Sequence, residues 1–168
     1  MGFVLLLGGA RSGKSDRAVR SALESGLPVT FIATATAGDG EMAGRIERHR
    51  SARPPEWSTV EAPIELQAAI EVTPVDRFVV VDCLTLWVSN LLEAQIAASA
   101  ILRRAEECAG LLAARRGVVV SNEVGLGIVP ANELARTFRD VLGGVNAVFA
   151  GCAQRSLLMV AGKTLELA

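Results

Sequence analysis

The sequence predicts an α/β domain, a mostly parallel β-sheet with helices on both faces, and three observations carry that expectation. Short apolar runs recur at 3–7 (FVLLL), 28–33 (PVTFIA), 77–82 (RFVVVD) and 117–121 (GVVVS), with the length and β-branched content of buried strands. Segments of helical periodicity lie between them, punctuated by glycine or proline. The first run also feeds straight into a glycine-rich loop, GGARSGKS, in the strand–loop–helix order of a phosphate-binding turn. Strands that alternate with helices over short links build parallel sheets covered on both sides.

At 168 residues the chain suits one domain, 1–168, large enough for a full core without disulfides or metals. Seventeen basic residues balance 18 acidic ones, so no global field is available to hold a nucleic-acid backbone or an anionic membrane, and any anion site must be local. Hydrophobic content of 51% with no tyrosine implies an aliphatic core. No apolar stretch reaches the roughly 18 residues of a spanning helix. The first apolar run has no basic region ahead of it and ends in the loop, which argues against a signal peptide. Cys83, Cys108 and Cys152 lie far apart without C-x-x-C spacing and read as free buried thiols in a reducing cytoplasm.

Gly8, four residues, then Gly13-Lys14-Ser15 matches G-x-x-x-x-G-K-[ST]. Glycines there let backbone N–H groups curl around a phosphate, Lys14 reaches its outer oxygens, and Ser15 offers a hydroxyl to Mg²⁺. The domain is therefore expected to be P-loop NTPase-like. A helix follows over 16–23 and Gly26 ends it. After the second strand, Thr34, Ala35 and Thr36 fall at a carboxyl end, where ligands collect in open parallel sheets, although ordinary loop hydroxyls would look the same.

Asp39 is placed to cap a helix over 40–52, stopped by Arg53-Pro54-Pro55. It bears the sole histidine, His49, in an i, i+4, i+7 stripe with Met42 and Ile46, the pattern of a packed side chain. Around it stand Arg45, Arg48, Arg50 and Arg53, a group suited to a polyphosphate. The residues alone leave His49 open between the two roles.

Further on, 57–61 is expected to be a short extended piece and 63–72 a small helix with Leu66, Ala69 and Ile70 inward. The strand at 77–82 ends in Asp82, a carboxylate placed for Mg²⁺ opposite a phosphate loop, or for capping the next helix. Residues 84–94 are mostly apolar all round, which marks core or a subunit contact, and 97–116 form a longer amphipathic helix with Glu106 and Glu107 on its polar side. Glu123 sits just past the strand at 117–121, placed for metal or a substrate hydroxyl or merely solvated. A helix over 131–150, interrupted or bent near Gly143-Gly144, and strands at 157–160 and 164–167 complete the chain.

Four blocks, GGARSGKS, EMAGRIERHRSARP, VVVDCLTLWVSNLL and SNEVGLGIVPANELARTFRDVLGGVN, resemble the bifunctional adenosylcobinamide kinase / adenosylcobinamide-phosphate guanylyltransferase family of cobalamin biosynthesis. The likeness spans nearly the whole chain. It implies a transferase with two steps. In the first, a nucleoside triphosphate, ATP or GTP, phosphorylates the aminopropanol hydroxyl of adenosylcobinamide. In the second, the histidine matching His49 attacks the α-phosphate of GTP, releases pyrophosphate, and carries GMP as a phosphoramidate to adenosylcobinamide phosphate. Such a nucleophile must be a neutral imidazole, and neighbouring arginines favour that form. By the same resemblance Gly8, Gly9, Ala10, Arg11, Ser12, Gly13, Lys14, Ser15, Thr34, Ala35, Thr36, Arg50, Ser51, Ala52, Arg53, Glu61 and Asp82 are nucleotide-contacting, with Lys14 catalytic and Ser15 and Asp82 on the Mg²⁺ side. The family's structures are trimers, which implies a homo-oligomer and gives the apolar 84–94 helix a partner surface.

Two other readings stay open here. One is a P-loop small-molecule kinase without a covalent nucleotide. The other is a GTP-hydrolysing switch, which would need an N-K-x-D that is absent; the D-x-x-G at Asp140 to Gly143 falls late in an expected helix.

Overall fold

A computed structural model describes residues 2–36, 44, 50 and 53–167. In chain order the elements are β1 (Phe3–Gly8), α1 (Lys14–Glu24), β2 (Val29–Ala33), β3 (Ser58–Glu61), α2 (Leu66–Glu71), β4 (Phe78–Asp82), α3 (Leu84–Glu93), α4 (Ala98–Ala113), β5 (Gly117–Val120), α5 (Glu133–Cys152), β6 (Arg155–Val160) and β7 (Lys163–Leu167). The strands form one sheet ordered β3-β2-β4-β5-β1-β6-β7. Every neighbouring pair is parallel except β6 with β7. The expected helix over 40–52, its Asp39 cap, and His49, Ser51 and Ala52 lie outside the described residues.

Period-two alternation divides the core between the two faces of the sheet. Leu6, Phe31, Phe78, Val80, Val118 and Val120 point to the side of Ala18 and Ala22 on α1. Leu5, Leu7, Ile32, Val79, Val81 and Val119 point to the other, where Leu66, Trp87, Leu91, Ile101, Leu112 and Phe149 of α2 to α5 cover them. These are the strands whose near-continuous apolar runs mark burial on both faces.

Leu66, Ala69 and Ile70 of α2 are buried, and Glu106 and Glu107 of α4 are exposed, as their spacing predicts. The apolar α3 serves the core, with Leu84, Trp87, Val88 and Leu91 buried, while Leu86 and Leu92 stay half-buried. Two expectations need correction. The expected interruption at Gly143-Gly144 is absent, and α5 runs unbroken from Asn132, whose side chain accepts the Ala135 N–H. Gly144 serves a close helix contact instead: a Cβ there would lie 2.8 Å from Leu102 Cδ2 on α4. Of the three free cysteines, Cys108 is buried and Cys83 half-buried, but Cys152 is exposed rather than buried. The main apolar exposure falls between β5 and α5, where Leu126 and Ile128 are 84% and 97% exposed.

Gly8 ends β1 with φ +151, and a Cβ there would stand 2.3 Å from the Met159 carbonyl oxygen on β6. Backbone cannot yield as a side-chain tip does, so only glycine lets the chain leave the sheet at this point. Gly8→Ala is expected to lower unfolding stability by about 3 kcal/mol in urea titration, through strain and the forced parting of β1 from β6.

Candidate nucleotide site

Parallel strands deliver their carboxyl ends to one edge, and the register shows which residues meet there. Ala33 on β2 stands opposite both Glu61 on β3 and Asp82 on β4. Val120 on β5 stands opposite both Asp82 and Leu6. Alternation then sets the side: Phe31, Thr59, Glu61 and Asp82 share the α1 face with the loop that follows Gly8.

In that loop Lys14 begins α1 and is itself buried. Its ammonium donates to Gly8 O at 2.8 Å, Gly9 O at 2.7 Å and Ser12 Oγ at 3.3 Å. Burial lowers its pKa from the ordinary lysine value, opposed by Cys83 and Asp82. Gly13 adopts φ +93 ahead of the helix, and Arg11 is a non-glycine residue at φ +55. Gly9, Ala10 and Arg11 are exposed, Ser12 is buried, and Ser15 lies half-buried in the first turn of α1.

Across from the loop, Arg53 stacks its guanidinium 3.6 Å above the Phe31 ring and donates from Nη1 to Thr59 Oγ1 at 3.3 Å. Its Nε is buried without a hydrogen-bond partner among the described residues. Burial lowers its pKa, Asp82 and Glu61 pull it back up, and Arg50 lowers it further. Arg50 is exposed. Lys14, Arg53, Asp82 and Glu61 thus form one alternating-charge cluster at the sheet edge, suited to a polyphosphate with its cation.

Thr34 is fully buried, and its hydroxyl donates to Cys83 O at 2.7 Å and accepts from Cys83 N–H at 2.8 Å. It clamps the peptide after Asp82 rather than facing outward; Ala35 is half-buried and Thr36 exposed. The Cys83 thiol, pushed up to about 11 by burial and by Asp82, stays protonated. Asn90 on α3 donates to Thr34 O at 2.8 Å and Pro63 O at 3.0 Å, tying β2 to the chain after β3.

A family model described as cobinamide kinase / cobinamide phosphate guanyltransferase matches residues 4–167. The chain belongs to that family. This cobinamide kinase / guanyltransferase chain is 46% identical over 166 residues to the bifunctional adenosylcobalamin biosynthesis protein CobP of Pseudomonas aeruginosa, covering 97% of this chain and 95% of that one. It is 41% identical over 176 residues to CobU of Salmonella typhimurium, covering 95% and 96%. Among solved structures, a Pyrococcus horikoshii OT3 protein matches at TM-score 0.60 and 9% identity over 98% of this chain and 85% of its own. The RadB recombinase matches at TM-score 0.54 and 16% identity over 94% and 73%. At such identities these two show the shared fold alone.

Some of the residues that tie this sheet edge together escape a reading by motif. Asn90 and Asn146 are polar residues within largely apolar stretches of their helices, LTLWVSNLLE and VLGGVNAVF. That misfit is the signal, because a polar group in a packed stripe needs a backbone partner. Asn146 accepts from Ser121 Oγ at 2.6 Å and donates to Asn122 O at 3.0 Å.

Proposed function

We propose that this chain carries both steps in one domain, phosphorylating adenosylcobinamide and then transferring GMP from GTP to adenosylcobinamide phosphate through a guanylyl-histidine at His49. Family membership supports the pair of activities. The observation that carries the reading is the Lys14–Asp82–Arg53 cluster at the edge of the sheet, where three elements present the charges that a nucleoside triphosphate and its cation require.

Ser15 and Asp82 offer hard oxygen donors of the kind Mg²⁺ prefers and would hold the ion beside the phosphates. Asp82 meets that role physically, because β4 directs it to the α1 face and it lies within electrostatic reach of Lys14. When bound, the ion would offset charge on the transferring phosphoryl group. Lys14 would hold the outer phosphate oxygens, and Gly8 to Gly13 would wrap the rest with backbone N–H groups. Arg50 and Arg53 would neutralise the departing pyrophosphate in the second step. Association into trimers, implied by the family resemblance, belongs to the same proposal and is read by sedimentation equilibrium.

The covalent step has a direct test. Wild-type protein incubated with Mg²⁺ and GTP labelled at the α-phosphate is expected to retain acid-labile, base-stable label, the signature of a phosphorus–nitrogen bond. Protein that binds GTP yet stays unlabelled would leave a P-loop kinase without a covalent nucleotide.

A further inference from the structure

Glu123 is used by neither step described above, yet its backbone is built into the phosphate loop. Its N–H donates to Gly8 O at 3.1 Å, the carbonyl that also accepts the Lys14 ammonium at 2.8 Å. The two residues before it are pinned as firmly. Ser121 N–H donates to Leu6 O at 2.9 Å, and Asn122 N–H donates to Thr85 Oγ1 at 2.7 Å. Asn146 holds the Asn122 carbonyl from behind at 3.0 Å. Three consecutive amides are thereby fixed, and Glu123 leaves β5 between the strand bearing Asp82 and the strand bearing the loop.

The carboxylate itself is half-exposed and accepts the Gly125 N–H through Oε1. Gly125 leaves it that room, because a Cβ there would come within 2.9 Å of Oε1. The stretch beyond, Val124 to Val129, is exposed throughout, so a bulky acceptor can approach from that side. Asp82 and Glu61 lie beside Arg53, and Asp82 also beside Lys14, so their charge is directed to cations. Glu123 is the carboxylate whose own backbone N–H is seated on the loop carbonyl that Lys14 grips.

We propose that Glu123 is the proton acceptor of the phosphoryl-transfer step. The acceptor hydroxyl of the corrinoid passes its proton to the Glu123 carboxylate while its oxygen forms the new bond to the γ-phosphorus. The bond from that phosphorus to the β-phosphate bridging oxygen breaks, and nucleoside diphosphate leaves with the electron pair. A positioned carboxylate in this role contributes about 10²- to 10⁴-fold. The proposal rests on the kinase half of the reading above.

Glu123→Gln isolates proton acceptance, since the amide oxygen still receives the Gly125 N–H. With cobinamide and saturating nucleotide, kcat for phosphorylation is expected to fall at least about a hundredfold. KM for nucleotide and covalent guanylylation by GTP should stay within about threefold of wild type. Gly125→Ala, which displaces the carboxylate without removing it, is expected to slow phosphorylation alone. Three results would overturn the proposal: phosphorylation by Glu123→Gln within about threefold of wild type, equal loss of guanylylation, or recovery at raised Mg²⁺, which marks a metal ligand. A wild-type protein that phosphorylates no corrinoid would instead bring down the kinase reading itself, and this inference with it.

Discussion

His49→Ala is expected to abolish covalent GMP completely while phosphorylation of cobinamide persists within about threefold of wild type. Removing the imidazole removes the nucleophile of the proposed intermediate, and the chain holds no other histidine to take its place. A nucleophile of this kind splits one difficult displacement into two, and no neighbouring arginine can replace it, because a guanidinium remains protonated. Labelling by α-phosphate-labelled GTP and phosphorylation of cobinamide are to be measured on one preparation. Label surviving on His49→Ala would place the nucleophile elsewhere.

Lys14→Met is expected to reduce phosphorylation between about a hundred- and a thousandfold, measured as single-turnover transfer to cobinamide. The ammonium already has three acceptors in the loop, Gly8 O, Gly9 O and Ser12 Oγ, so bound phosphate competes with oxygens held at short range. Methionine keeps the stem and loses both the charge and the donors, which separates electrostatic grip from packing. A pH dependence accompanies this. Burial lowers the lysine pKa, so as pH rises the free enzyme loses its ammonium sooner than an ordinary lysine would. The alkaline limb of kcat/KM, which reports the free enzyme, should therefore fall at a pH below the ordinary lysine value. A limb at or above that value would contradict the assignment.

Much of the architecture is legible in the chain because its physics is local. Buried parallel strands read as unbroken apolar runs, and the glycine spacing of the phosphate loop follows from the turn it must make. Glu61, by contrast, enters only through the resemblance, and the register that sets it on one face with Asp82 is a long-range fact. What resists a linear reading is partnership across distance. Nothing near Arg53 announces that it will lie over Phe31, and nothing near Thr34 shows that its hydroxyl will be consumed by the Cys83 peptide. The pair Gly143-Gly144 misleads for the same reason, since a glycine that admits Leu102 from another helix carries the local signature of a helix breaker. Apolarity all round α3 is ambiguous until its neighbours are known, and they turn out to bury Leu84, Trp87, Val88 and Leu91 while leaving Leu86 and Leu92 half-buried.

The position of β1 in the sheet has a consequence in time. Its two neighbours are β5 and β6, with Phe3 opposite Gly117 and Val4 opposite Arg155. The strand that carries the phosphate loop is made well before either of its partners, and it has no strand to pair with until β5 emerges. Contacts this distant in sequence form slowly, and synthesis at about 5–20 residues per second leaves β1 waiting for seconds. The loop between Gly8 and Lys14 therefore takes shape late, when β5 and β6 close around it, and a nascent chain has no nucleotide grip until both have emerged.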